Sequence, residues 1–108
     1  MPSKSKSRNT IDRLPPVHPG EPLRETLADM GLSMNQLAHA IHVPANRISG
    51  IVGGQRSITG ETALRLARYF GTTPDYWMNL QAHYDLERAR DECESVILSE
   101  VKPRDAAA

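Results

Sequence analysis

The chain has 108 residues, a formal net charge of zero and one cysteine. That length serves one hydrophobic core and not two. Cys93 alone excludes an internal disulfide and a cysteine-based zinc site, and no apolar run approaches the ~18 residues that span a bilayer.

The start, MPSKSKSRNTIDRLPPVHPG, is polar, with no apolar stretch behind its lysines. It therefore reads as no secretory signal, and a cytoplasmic location is expected. The zero net charge is a sum of unlike parts. In residues 1–18, Lys4, Lys6, Arg8 and Arg13 stand against Asp12 alone. In residues 33–73, Arg47, Arg56, Arg65 and Arg68 stand against Glu61 alone, while residues 74–108 hold twice as many acids as bases. Such asymmetry fits a nucleic-acid face on one side.

Residues 1–18 read as a flexible basic arm ending in Pro15, Pro16 and, just beyond, Pro19. A first helix is expected from near Gly20 to Gly31, with Leu23, Leu27 and Met30 inward and Gly31 as its stop. Ser33 caps a second helix, with Gln36 in the capping-box position; its inner face is Met34, Leu37, Ala38 and Ile41. Pro44 suits the first turn of a third helix, whose inward residues are Ile48, Ile51 and Val52 and which ends at Gly53-Gly54. Thr59 caps a fourth, with Ala63, Leu64, Ala67 and Phe70 along one side and Gly71 closing it. Thr73-Pro74-Asp75 starts a fifth, a capping hydroxyl followed by a proline and an acid at the positive dipole end. That helix carries Trp77, Leu80 and Tyr84 on one face.

The pattern is all-α: a domain over residues 19–90 between the arm at 1–18 and a tail at 91–108. The tail has two readings. Leu86, Ala89, Cys93 and Val96 continue a helix in heptad spacing, and Val96 to Val101 alternatively form a short strand. Helix is favoured as far as Cys93, with the remainder open.

Helices two and three, joined by a short turn around Ile41-His42-Val43, make a helix-turn-helix, in which the second helix enters the DNA major groove. With 100° per residue, inward Ile48, Ile51 and Val52 leave Asn46, Gly50 and Gly53 facing outward, flanked by Arg47 and Ser49. Glycine costs about 1 kcal/mol relative to alanine in an exposed helix, so its presence there calls for a reason. Close approach of a groove edge supplies one. Arg47 has the planar fork that matches guanine, and Asn46 the donor–acceptor pair that matches adenine. Ser33 and the amides opening helix two suit a phosphate at the positive end of a dipole, and Asn35 and Ala45 lie at the starts of the same two helices. Arg56, in the following loop, is expected on the DNA backbone, within reach of a base.

The run LAHAIHVPANRISGIVGGQRSITGETALRLARYFGTTPDYWMNLQAHYDLERAR, with VHPGEPLRETLADMGLS before it, resembles HigA-type antitoxins of the XRE helix-turn-helix class. The resemblance covers about residues 17 to 90. Its most specific parts are HPGE, the RIS…G-x-R-x-IT loop, TALRLARYFGT and PDYWMNLQ. It implies a five-helix lambda-repressor-like domain and a homodimer on a palindromic operator in its own promoter. It also implies neutralisation of a RelE-like toxin, an mRNA endonuclease. By position, operator contacts fall on Asn46, Arg47 and Arg56, and the dimer contact on Trp77, Leu80, Tyr84 and Leu86. Two departures stand out. His42 occupies a turn position where the family usually has glycine, and Gly50 and Gly53 replace larger residues.

No constellation for catalysis, metal or cofactor binding is found. His39 and His42 lack a third ligand, and Glu61 with Arg65 reads as an i,i+4 ion pair. The leading functional expectation is an antitoxin that also represses its own operon. A solitary repressor of the same fold comes second, and a protein-interaction module that no longer reads DNA third. The arm serves either DNA phosphates, through Arg8 and Arg13, or the toxin, through Ile11 and Leu14.

Overall fold

The computed structural model describes residues 15–105, so all but the end of the expected arm lies outside the described residues. Within them the chain forms five helices: α1 (Gly20–Met30), α2 (Met34–Ile41), α3 (Ala45–Val52), α4 (Gly60–Phe70) and α5 (Pro74–Glu100). No strand occurs among the described residues.

Local chemistry sets the boundaries. The Ser33 hydroxyl accepts from Gln36 N at 3.0 Å while the Gln36 side chain accepts from Ser33 N at 2.8 Å, so two orphan amides of α2 are satisfied reciprocally. Thr59 and Thr73 cap α4 and α5 in the simpler one-way form. Gly31 and Gly71 take left-handed conformations after α1 and α4. His42 does so after α2, at φ 61°, and it is the only non-glycine residue with positive φ among those described.

Leu23 and Leu27 of α1 meet Leu37, Ala38 and Ile41 of α2 and Ile48 and Ile51 of α3 in one core, closed by Ala63, Leu66 and Ala67 of α4 and Trp77 of α5. The HPGE segment is explained by this packing. The His18 Nδ1 accepts from Gly20 N at 2.9 Å, capping α1, and its ring lies 4.8 Å from Tyr84 of α5. Pro19 is fully buried. Gly20 lets the start of α1 run against the end of α3: a Cβ there would overlap the Ile51 carbonyl.

Three inward assignments are corrected. Leu64 is 61% exposed and Leu66, two residues on, takes its place in the core; the buried set of α4 is Ala63, Leu66 and Ala67, with Phe70 packed at its edge, the i, i+3, i+4, i+7 stripe. Met30 and Met34 are exposed. They sit in the last turn of α1 and the first turn of α2, and Leu32 between them packs on the core instead.

The tail is also resolved. α5 continues unbroken past Cys93 to Glu100, and Val101 N donates back to Ile97 O at 2.8 Å, so Val96–Glu100 is helix and not strand. At 27 residues α5 is about 40 Å long. Only Trp77 and Gln81 along it are buried, so its second half projects from the core.

Candidate nucleic-acid interface

α3 is short because the chain allows it no more: Pro44 fixes its start in extended conformation and Gly53-Gly54 ends it, Gly54 at φ 84°. Its Ile48 and Ile51 are fully buried, which fixes the rotation of the helix about its axis. The opposite face therefore meets solvent. Ala45, Asn46, Ser49 and Gly53 are exposed and Arg47 and Gly50 half-buried. Ser33 and Asn35 are exposed at the start of α2, though the Ser33 hydroxyl is already occupied by its cap. A phosphate at that end would meet the amides.

Arg47 does not stand alone. Its guanidinium donates to Glu61 at 3.4 Å, and the same carboxylate is gripped by Arg65 at 3.0 Å. The Arg65 hydrogen bond, then the Arg65 and Arg47 charges, hold the Glu61 carboxyl below the usual carboxylate range. Arg65 also donates to Ile41 O at 2.9 Å, tying α4 to the end of α2. A groove of about 230 Å³ lies between Arg47, Arg56, Ser57, Thr59, Glu61 and Thr62, just where the turn-helix unit meets α4.

The loop after α3 is the part that residue patterns did not disclose. It doubles back, so that Gln55 N and Arg56 N both donate to Gly50 O, at 2.8 and 3.0 Å. Its far end is pinned by Gln81, which is 4% exposed: the Gln81 Oε1 accepts from Ile58 N at 2.7 Å and its amide donates to Asp85 at 3.0 Å. The sequence signal was the glutamine of PDYWMNLQ, a polar residue one turn past Trp77 on its inward face. As a result, the aliphatic stem of Arg56 lies across Gly50, and a Cβ on Gly50 would come within 2.8 Å of Arg56 Cδ. Gln55 covers Gly53 in the same way.

Of the four residues expected at the dimer contact, Trp77 is corrected. It is 1% exposed inside its own protomer, and its indole N–H donates to Thr72 Oγ1 at 2.9 Å. Leu80 is partly buried against the same core, Tyr84 is half-buried and Leu86 half-exposed.

Two short helices across the turn His42–Pro44, the second buried by isoleucines on one side and presenting amide, hydroxyl and guanidinium groups on the other, define a helix-turn-helix protein. Residues 23–77 match the family described as helix-turn-helix. The chain is 50% identical to virulence-associated protein I of Dichelobacter nodosus over 79% of its own length and 80% of that protein's. An addiction module antidote protein of the HigA family from Coxiella burnetii superposes with a TM-score of 0.82 at 48% identity, covering 84% of this chain and all of that one. The Pseudomonas aeruginosa antitoxin HigA, solved with the higBA promoter, gives 0.79 at 43% identity over 82% and 97%. The chain belongs to the XRE-type helix-turn-helix family, among neighbours that are HigA-type antitoxins.

Proposed function

We propose that this chain is the antitoxin of a type II toxin–antitoxin module. As a homodimer it binds a palindromic operator in its own promoter, and it neutralises a RelE-like mRNA-cleaving toxin by direct contact. It works in the cytoplasm, beside the DNA, and it is a binding protein and not an enzyme. The observation that carries the reading is the likeness to HigA-type antitoxins along nearly their whole length, joined to a helix-turn-helix whose second helix leaves Asn46 and Ser49 exposed to solvent. In a two-fold dimer the two recognition helices would lie about one DNA turn apart, ~34 Å. Asn46, Arg47, Ser49 and Arg56 are the residues proposed to meet DNA, with Ser33, Asn35, Ala45 and Gly50 beside them. Leu80, Tyr84 and Leu86 are proposed to meet the second protomer.

The test is growth. Expressing a neighbouring reading frame for a small basic protein should arrest cells, and co-expressing this chain should restore growth and co-purify the two. A harmless neighbour would reduce the protein to a repressor without a toxin, its DNA face then being the whole function.

A further inference from the structure

We infer that the loop after α3 reads DNA bases: Gln55 and Arg56 contact base edges from seats provided by Gly53 and Gly50, and Arg47 serves the flanking phosphate backbone. The inference rests on the DNA-binding reading above and assigns roles within it. Gly50 lies at the centre of the outward face of α3, with Asn46, Gly53 and Arg47 within about 60° of it around the helix. That centre is not bare. A Cβ on Gly50 would stand 2.8 and 2.9 Å from Arg56 Cδ and Cγ and 3.3 Å from its Nε, and a Cβ on Gly53 would stand 2.5 Å from Gln55 Oε1. The two glycines hold the space that two loop side chains fill.

The loop is fixed at both ends, at the Gly50 carbonyl and at buried Gln81. Its side chains are thus presented from a rigid frame, which is what base readout needs. No hydrogen bond or ion pair to another described residue engages the side chains of Gln55 and Arg56. Arg47 differs on each count: it is half-buried, swung toward α4 and paired with Glu61. An arginine fork matches the O6 and N7 of guanine and a glutamine amide the N6 and N7 of adenine, so the loop is built for a guanine and an adenine lying close together. Arg47, beside the amides that open α4, is placed for phosphate.

The intact chain is used to select a consensus from a library of short random-sequence duplexes. Affinities of the wild type, Gln55→Ala, Arg56→Ala, Gly50→Ala and Arg47→Ala are then measured on the selected duplex and on random-sequence duplex, at several salt concentrations. Arg56→Ala should weaken the selected duplex about tenfold or more and random duplex far less. Replacing one consensus guanine by 7-deazaguanine should reproduce that loss in the wild type and add nothing to Arg56→Ala. Gly50→Ala should follow Arg56→Ala, and Gln55→Ala should relax preference at one adenine. Arg47→Ala should weaken both duplexes alike and lower the salt slope by about one. Equal losses on both duplexes for Arg56→Ala, or none for both loop variants while Arg47→Ala removes discrimination, would overturn the assignment. A wild type that selects no consensus would overturn the DNA-binding reading itself, a separate result.

Discussion

Gly20 opens α1 with its α-carbon against the last turn of α3, and backbone is all that fits between them. The obstruction to a side chain is itself backbone, the Ile51 carbonyl and the Val52 α-carbon, so neither can swing aside. Gly20→Ala should therefore cost about 1–3 kcal/mol or more, the range of overpacked cores, and lower the melting temperature by at least ~4 °C in a domain this small. Gly60 offers the control. It sits at the first position of α4 with nothing within 4 Å of a built Cβ, and Gly60→Ala should leave thermal stability unchanged or slightly raised. A Gly20→Ala protein that melts with the wild type would mean α1 can shift off α3. Glu61 makes a different point at the same scale. Its carboxyl is held below the usual range chiefly by Arg65 and then by Arg47, so its ion contacts persist above that range and are lost as pH falls through the lowered value. The carboxyl carbon of Glu61, followed by NMR, should titrate below an ordinary glutamate. Arg65→Ala should raise the midpoint more than Arg47→Ala does, and the opposite order would mean that Arg47 is its principal partner.

At the scale of elements, the turn between α2 and α3 depends on His42 holding φ 61°, a conformation costing a non-glycine residue about 1–2 kcal/mol. Glycine avoids that cost but loses more entropy on folding. His42→Gly should accordingly be neutral to stabilising by up to about 1 kcal/mol, whereas His42→Val, β-branched, should destabilise by more than ~1 kcal/mol in denaturant unfolding. Similar losses from both would show the imidazole itself to matter. The turn was legible beforehand because caps, glycines and a proline act through neighbouring residues: Ser33 with Gln36, Thr59, Thr73-Pro74 and Gly71 all stand where their local chemistry requires. The outward face of α3 was legible for a related reason, since Ile48 and Ile51 are buried and fix the rotation of the helix. What was not legible depended on contacts across sequence. Gln55 and Arg56 lie over α3 only because the loop turns back on Gly50 O, and Gln81 reaches that loop from α5. The side chains of Arg56 and Gln55 lie over Gly50 and Gly53, a contact that helical spacing alone does not disclose. Leu64 and Leu66 show the other limit: with leucines two apart on one helix, periodicity left the choice of stripe to partners that only the fold supplies.

For the whole molecule, the question is what α5 does beyond the core. Past Gln81 none of its residues is buried, yet Leu86, Val96, Ile97 and Leu98 are apolar and about half to three-quarters exposed. Ion pairs within the helix, Arg88 to Glu92 at 2.6 Å and Arg90 to Glu87 at 2.8 Å, support it weakly at i,i+4 and i,i+3 spacing, which helps a solvated helix stay formed but covers little apolar surface. Leu86, Cys93 and Ile97 fall within about 20° of one line along it, the kind of seam that a second helix covers. A homodimer closed along this seam would also set the spacing of two recognition helices, so dimerisation and operator affinity should fail together. Ile97→Glu, at a position 49% exposed and remote from the core, should leave the melting of the core nearly unchanged. It should weaken self-association by about 2 kcal/mol or more if Ile97 is central to the contact. Sedimentation at micromolar concentration should then show monomer, and binding to a palindromic operator should fall to that of a single half-site. A variant that remains dimeric would move the contact toward Leu80 and Tyr84, near the core. A monomer that still binds the full operator tightly would mean that DNA, and not α5, brings the two protomers together.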